Sequence, residues 1–182
     1  MRVITGIARG MRLDTLPGDA VRPTADKVKE ALFSILQFEL EGRRVLDLFA
    51  GCGQLGIEAL SRGAGQAVFV DASRNSAEIV RKNLQRTKLD KNARVVVSDS
   101  IAFLRGKHEP FDIALLDPPY QKGLLEQALP LLERVMKPTG IIVCEHPEDV
   151  VLPETAGAFV KLRSYRYGRI HLTTYRIPQT GE

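Results

Sequence analysis

The chain has 182 residues, of which 44% are hydrophobic and 26% charged, and these proportions exclude an intrinsically disordered protein. Its length suits one domain with a full hydrophobic core. Two cysteines and three histidines are scattered along the chain and match neither a disulfide framework nor a metal-ligand spacing. No apolar run reaches the roughly 18 residues of a membrane span, so we expect a soluble, cytoplasmic protein.

The first 40 residues are predicted to form an extension that binds RNA. Residues 2–13 indicate two short strands with a turn near Arg9 and Gly10. A helix is predicted to follow, with Thr24 as its N-cap and apolar residues at helical spacing from Val28 to Leu36. We therefore divide the chain into an extension, residues 1–40, and a core, residues 41–182.

From residue 44 onward, short apolar runs alternate with helical patterns. The predicted strands are 45–50, 67–71, 94–99, 111–116 and 141–144, and the predicted helices are 55–61, 73–88 and 124–136. Residues 159–166 and 170–175 flank Tyr167-Gly168 and predict a closing β-hairpin. The predicted fold class is α/β: a mostly parallel, seven-stranded sheet covered on both faces, as in the Rossmann-like methyltransferases.

A glycine-rich loop follows the first predicted strand. Gly51, Gly53 and Gly56 match G-x-G-x-x-G and precede a helix, which lets the backbone approach a ligand at the carboxyl edge of the sheet. Asp71 ends the second strand, where an acidic residue suits hydrogen bonding to ribose hydroxyls. Asp47 precedes the glycines; its carboxylate repels a pyrophosphate but suits an ammonium and a sulfonium. The loop therefore favours S-adenosylmethionine over a nicotinamide dinucleotide.

The third strand ends near Asp99, which is placed to accept from an adenine amino group, with Ser100 as the N-cap of the next helix. The full predicted cofactor set is Asp47, Phe49, Gly51, Gly53, Asp71, Asp99 and Ser100. An alternative stays open, in which these acidic residues only cap the loop and the helix that follow them.

The fourth strand leads directly into Asp117-Pro118-Pro119-Tyr120, which we predict to be catalytic. An exocyclic amine on a nucleic-acid base is a poor nucleophile, because its lone pair is conjugated with the ring. The Asp117 carboxylate and the Pro118 carbonyl can accept the two amine hydrogens and aim the lone pair at a methyl group, while Tyr120 stacks on the base. The alternative is a rigid turn without chemistry.

Three segments carry a family resemblance: VRPTADKVKEALFSIL from Val21, DLFAGCGQLGIEALSRGA from Asp47, and DPPY from Asp117. Together they resemble the bacterial 16S ribosomal RNA guanine-N2 methyltransferases of the RsmD type, over essentially the whole chain. The chain departs from that family at Cys52 and Gln54, where serine and a small residue are usual.

The resemblance implies methylation of a guanine N2 in 16S rRNA, with S-adenosylmethionine as methyl donor and S-adenosylhomocysteine as product. It implies a 30S subunit or assembly intermediate as partner, and a monomer suffices. The scattered cysteines and histidines predict no metal. From the residues alone, only an amino-methyltransferase follows.

The formal net charge of +4 permits a polyanionic partner. The residues predicted to contact RNA are Arg2, Arg9, Arg12, Arg22, Thr24, Arg166 and Arg169. A solvated basic face is the alternative for any one of these arginines. We assign Glu145 and His146, after the fifth strand, a structural role ahead of a substrate contact.

Three other functions are alternatives to this one. A DNA adenine or cytosine amino-methyltransferase would use the same loop, but the chain is short and lacks an evident target-recognition domain. A non-catalytic RNA-binding assembly factor could retain the cofactor pocket, although the intact Asp117-Pro118-Pro119-Tyr120 loop speaks against it. A nicotinamide oxidoreductase fits least well.

Overall fold

The computed structural model describes residues 1–18, 23–119 and 123–181, and the side chains of residues 23–25 are excluded from that description. Arg22, Tyr120 and the side chain of Thr24 therefore lie outside the described part of the chain. The helices are α1 (Pro23–Ile35), α2 (Gln54–Ser61), α3 (Arg74–Thr87), α4 (Ser100–Arg105) and α5 (Leu124–Leu132), with a 3-10 turn at Asp90–Asn92. The strands are β1 (Arg44–Asp47), β2 (Gln66–Asp71), β3 (Ala93–Val97), β4 (Phe111–Leu116), β5 (Met136–Pro147), β6 (Thr155–Ala156), β7 (Phe159–Tyr167) and β8 (Ile170–Arg176).

All eight strands form one sheet, in the order β3-β2-β1-β4-β5-β8-β7-β6. Strands β1 to β5 run parallel to one another, and β8, β7 and β6 add antiparallel pairs beside β5. The predicted α/β class and the closing hairpin are confirmed. The two-residue strand β6 adds an eighth strand to the seven that were predicted.

The sheet separates two hydrophobic cores. On one face, Val45, Phe69 and Leu115 pack with apolar residues of α1, α2 and α3. On the other face, Leu46 and Leu116 pack with apolar residues of α4 and α5. Neighbouring residues of one strand thus enter opposite cores, and this is why the central strands are continuously apolar in sequence.

Several predicted boundaries are wrong for identifiable reasons. The first strand ends at Asp47 rather than residue 50, because the chain turns into the loop before Gly51, which has a φ of 58°. The third strand ends at Val97, ahead of the α4 cap. The helix predicted for 124–136 ends at Leu132, since Met136 already pairs with Phe111 and begins the long strand β5.

Helix α1 begins at Pro23, so the prediction that Thr24 is its N-cap is also wrong. Proline is well suited to the first helical position because its missing N–H has no partner there in any case. None of the described helices is long and apolar enough to span a membrane.

The predicted N-terminal strands are reduced to a single antiparallel bridge between Arg2 and Arg12. The turn between them lies on α2, where the Ile4 N–H donates to Glu58 and the Ala8 N–H donates to Ser61 Oγ, at 2.8 and 3.0 Å. Val3, Ala8 and Leu13 are buried in the same core as α1 and α2. The extension thus shares its hydrophobic core with the rest of the chain, and its separation as a unit of residues 1–40 stays a prediction.

Candidate active site

Four acidic residues meet at the carboxyl edge of the parallel strands. Asp71 ends β2, Asp47 ends β1, Asp117 follows β4, and Glu145 lies near the end of β5. Because the strand order is β2-β1-β4-β5, these residues lie side by side. Burial raises the pKa of both Asp47 and Glu145, and like-charge repulsion from Asp117 adds to both increases. The edge therefore concentrates negative charge where a cationic ligand would bind.

Asp47 is the most deeply buried of these carboxylates, with 1% of its surface exposed. Its Oδ2 accepts a hydrogen bond of 3.0 Å from the Gly56 N–H, while its Oδ1 has no partner among the described residues. Burial raises the pKa of Asp47 to about 7, and the charges of Asp117 and Asp71 add to the increase. The carboxylate caps α2 with one oxygen and leaves the other for a ligand, which a cationic group would satisfy.

The glycine loop is open on its ligand side. Gly51 and Gly53 adopt left-handed backbone conformations, with φ of 58° and 84°. A Cβ atom added at Gly51 would meet nothing within 4 Å, whereas one added at Gly53 would touch Val80 at 3.2 Å. Gly53 therefore packs against α3, and Gly51 faces space that a ligand can occupy.

Asp71 holds the glycine loop in place. One of its carboxylate oxygens accepts from the Gly51 N–H and the other from the Ser73 N–H, both at 2.9 Å. Each carboxylate oxygen has a second lone pair, so both can still accept from a ribose hydroxyl. The Asp71 carboxylate can thus accept hydrogen bonds from the glycine loop and from a bound ligand at the same time.

At the next strand end, Asp99 rather than Ser100 is the N-cap of α4, which corrects the prediction. Its Oδ2 accepts from the Ala102 N–H at 2.9 Å, and Ser100 is buried in the first helical turn. The extra residues between Val97 and the helix place the aspartate, not the serine, at the non-helical cap position. Because Oδ2 is used in the cap, Oδ1 is the oxygen of Asp99 that we predict to accept from the adenine amino group. Phe49 is partly buried against the core formed with α4 and α5.

The loop that was predicted to be catalytic begins where the fully buried strand β4 ends. Burial raises the pKa of Asp117, Pro118 is buried, and Pro119 is exposed. A pocket opens beside the two prolines, with walls from the start of α5 and the end of β5. Its lining residues are Pro118, Pro119, Gly123, Leu124, Leu125, Glu126, Glu145, His146, Pro147 and Val150. The loop thus combines a carboxylate with a cleft that opens next to it.

A larger cavity lies at the opposite, amino edge of the sheet, between Arg43, Arg44, Gln66 and Lys137. Its charged groups already pair, since Asp112 forms ion pairs with Lys137 and Arg43 at 3.0 and 3.7 Å, and Arg44 pairs with Glu109 at 3.9 Å. It is remote from the acidic edge, and we assign it no part in the reaction.

Asn83 is a site residue that the sequence analysis missed. It is fully buried in α3, and its amide donates to the carbonyls of Asp14 and Cys52, each at 2.9 Å. Its Oδ1 also accepts from the Asp14 N–H at 2.8 Å. Asn83 therefore links the N-terminal extension to the glycine loop. Its position three residues after Val80, on the buried side of an otherwise amphipathic helix, was the available signal.

The arginines predicted to contact RNA fall into two groups. Arg2, Arg9 and Arg12 are exposed on the N-terminal turn, whose bonds to Glu58 and Ser61 place it toward the carboxyl-terminal end of α2. That end of α2 points to the amino edge of the sheet. No contact within the described residues brings these arginines to the pocket beside Asp117.

Arg166 and Arg169 are positioned differently, at the tip of the β7–β8 hairpin. Pro147, at the carboxyl end of β5, pairs with Ile170 at the start of β8, so the hairpin tip lies at the acidic edge. Arg166 donates to the Gly168 carbonyl and lies 3.6 Å from Glu148, and Arg169 is exposed. These two arginines are therefore close to the end of the sheet that carries the pocket.

Within the described part of the chain, no three His, Cys, Asp or Glu side chains form a group that could hold a metal ion.

Comparison with known proteins places this geometry in a family. Residues 1–176 match the family model described as Conserved hypothetical protein 95. The chain is 42% identical to Ribosomal RNA small subunit methyltransferase D of Escherichia coli strain K12, covering 100% of this chain and 92% of the relative. It is 39% identical to the protein of the same name from Haemophilus influenzae, over 85% and 83% of the two chains.

A solved structure described as "Putative methyltransferase yhhF from Escherichia coli" is 35% identical, with a TM-score of 0.86 over 98% of this chain and 99% of that one. The sheet order and closing hairpin are those of the class I S-adenosylmethionine-dependent methyltransferases, as predicted. The resemblance seen in the sequence is confirmed: the chain belongs to the Conserved hypothetical protein 95 family, together with the ribosomal RNA small subunit methyltransferases D.

Proposed function

We propose that this protein transfers a methyl group from S-adenosylmethionine to the exocyclic N2 of a guanine in 16S rRNA. The observation that carries the proposal is the adjacency of Asp117-Pro118-Pro119 to Asp47, a buried carboxylate whose Oδ1 has no partner among the described residues. The names of the relatives support small-subunit rRNA as substrate.

The residues at the edge fit the methyl donor. The unpartnered Oδ1 of Asp47 suits a cationic group, and the open space at Gly51 admits a ligand against the loop backbone. Asp71 would bind the ribose and Asp99 the adenine. When bound, S-adenosylmethionine supplies a methyl group made electrophilic by its sulfonium. A dinucleotide fits less well, because its pyrophosphate would face the buried carboxylate of Asp47.

Asp117 and Pro118 would prepare the nucleophile. The carboxylate and the Pro118 carbonyl accept the two hydrogens of the amine, which draws the nitrogen toward tetrahedral geometry and directs its lone pair outward. After transfer the nitrogen carries a positive charge and must lose a proton. The raised pKa of Asp117 suits it to take that proton, directly or through water. The base has to leave its stack to enter the pocket, where Tyr120 is proposed to stack on it.

Arg166 and Arg169 would hold the RNA backbone beside the pocket, since they lie at the same edge of the sheet. Arg2, Arg9 and Arg12 would then contact RNA only if it extends along the face covered by α2. We propose a 30S subunit or an assembly intermediate as the partner, with one copy of the chain sufficient for the reaction.

The test is transfer of a labelled methyl group to unmodified 30S particles, free 16S rRNA and duplex DNA, followed by nucleoside analysis. We expect N2-methylguanine in at least one of the rRNA substrates. N6-methyladenine or N4-methylcytosine on DNA would retain the cofactor and overturn the substrate. Cofactor binding without transfer to any substrate would instead indicate a binding protein.

A further inference from the structure

We propose that Glu145 is a specificity-determining residue, whose carboxylate accepts the N1–H of the target guanine and thereby rejects adenine and cytosine. The inference rests on the proposed function and adds to it the group that selects the base. The sequence analysis had favoured a structural role for this residue.

The position of Glu145 follows from the pairing of β4 with β5. Leu116 and Cys144 are partners in that pairing, so Asp117, just beyond the end of β4, lies beside Glu145, which is still within β5. Burial raises the pKa of Glu145, and the charge of Asp117 adds to the increase, as expected for neighbouring carboxylates. Glu145 also lines the pocket that opens beside Pro118. A base whose amine lies on Asp117 would therefore present its adjacent ring nitrogen toward Glu145.

A structural role does not account for this carboxylate. No hydrogen bond or ion pair to the Glu145 side chain is found among the described residues, although the residue is half-buried. Its charged neighbour is Asp117, which carries the same sign. No ion pair to either carboxylate is found among the described residues; two carboxylates held together in this way cost stability, and such an arrangement is common where a ligand completes the site.

The chemistry of the bases explains what would complete it. Beside its exocyclic amine, guanine carries the N1–H donor, whereas adenine and cytosine each carry a ring nitrogen with a lone pair. Guanine therefore offers three donors in a row, and Asp117, the Pro118 carbonyl and Glu145 supply three acceptors. With adenine or cytosine, the ionised Glu145 carboxylate would face a lone pair and remain unpaired in a half-buried site, which is unfavourable.

The experiment combines a change in the base with a change in the protein. The guanosine that wild-type enzyme methylates in 16S rRNA is replaced by 2-aminopurine ribonucleoside, which keeps the 2-amine but has an acceptor at N1. The kcat/KM for each RNA is measured with wild type, Glu145→Gln and Glu126→Gln. Glu126 lines the same pocket from α5 but is exposed, so it is the matched control.

We expect wild type and Glu126→Gln to prefer guanosine by about tenfold or more, the usual size of one hydrogen bond to a charged group. Glu145→Gln should reduce that preference to about threefold or less, because an amide can either accept from N1–H or donate to an N1 lone pair. Its affinity for S-adenosylhomocysteine should stay within about twofold of wild type, which would show that the site is intact.

Two results would overturn the inference alone: equal use of both RNAs by wild type, or an unchanged preference in Glu145→Gln. The first of these needs no variant, so it is independent of any folding defect. Failure of wild type to form N2-methylguanine in rRNA would instead contradict the proposed function itself.

Discussion

At the scale of single residues, Asp117 is expected to act on the reaction and not on cofactor binding. Its position after β4 places it beside Pro118 and the pocket, whereas Asp47 and Asp71 surround the glycine loop. For Asp117→Ala we expect kcat to fall by about 100-fold or more, as is typical when one polar group that stabilises a transition state is removed. Affinity for S-adenosylhomocysteine, measured by calorimetry, should remain near that of wild type. Retained turnover would contradict the role of the carboxylate.

The Asp47 carboxylate is expected to strengthen cofactor binding and to lower the free energy of unfolding of the cofactor-free protein. The fold raises the pKa of Asp47 from an ordinary value near 3.8 to about 7, so its ionisation opposes folding. That cost is absent below pH 4, grows as the pH rises and is complete above pH 7. It can reach about 4 kcal/mol at most, since one pKa unit corresponds to about 1.4 kcal/mol.

The variant Asp47→Asn removes this charge and keeps an oxygen that can accept from the Gly56 N–H. Without cofactor, we expect its free energy of unfolding to exceed that of wild type by about 1–3 kcal/mol at pH 8, with the difference vanishing near pH 4. Denaturant unfolding at both pH values measures this, and cofactor affinity should fall by at least tenfold. Equal stability of the two proteins at pH 8 would show that the carboxylate is not destabilising.

Much of the site was predictable because its signals are local. The glycines and Asp47 lie within ten residues of one another, and Asp117 directly precedes two prolines. The role proposed for Glu145 could not be predicted in this way. Its proximity to Asp117 depends on β4 and β5 being neighbours, which the sequence pattern alone does not determine. The structural role of Asn83 was not predicted for a similar reason: its partners Asp14 and Cys52 are 69 and 31 residues away in sequence.

At the scale of elements, helix and strand types were predicted well and their ends less well. Ends depend on contacts with other elements: α5 stops at Leu132 because the following residues approach β4, and Phe111 donates its N–H to Val135. The N-terminal turn illustrates the same point. It forms only one bridge of its own and is held by Glu58 and Ser61 of α2.

Helix α3 is expected to couple the extension to the glycine loop through Asn83. In Asn83→Ala, the Asp14 N–H and the Cys52 carbonyl lose their side-chain partner, so we expect a loss of about 1–3 kcal/mol in the free energy of unfolding. Cofactor affinity should fall with it, by about threefold to tenfold. The matched control is Asn75→Ala, which makes the same change at an exposed position of the same helix. If both variants behave alike, Asn83 does not link the two segments.

At the scale of the whole molecule, acidic and basic residues occupy different positions at the carboxyl edge of the sheet. The carboxyl edge holds buried acidic residues inside and exposed arginines, Arg166 and Arg169, on the hairpin beside them. The inner acidic residues suit a cationic donor and the hydrogen-bond donors of a base, and the outer basic residues suit phosphates. The formal net charge of +4 does not reveal this arrangement, because it adds the acidic residues at the edge and the arginines of the hairpin into one number.

The hairpin arginines should therefore govern RNA binding without affecting the cofactor. In Arg166→Gln/Arg169→Gln we expect the Kd for the rRNA substrate to rise by about tenfold at moderate salt, with unchanged affinity for S-adenosylhomocysteine. Each lost phosphate contact should also reduce the slope of log K against log salt by about 0.7–0.9, so the double variant should lose between one and two units. Filter binding across a salt series measures both quantities.

The control must remove the same charge from elsewhere, because net charge alone attracts RNA. Lys91→Gln/Arg94→Gln serves, since both side chains are exposed near the start of β3, at the opposite edge of the sheet. A general electrostatic effect predicts equal losses in the two double variants, whereas a phosphate site at the hairpin predicts that only the hairpin variant changes the slope. Equal salt slopes for the two double variants would therefore show that the RNA does not bind at the β7–β8 tip. The exposed Arg2, Arg9 and Arg12 would then be the next set to replace.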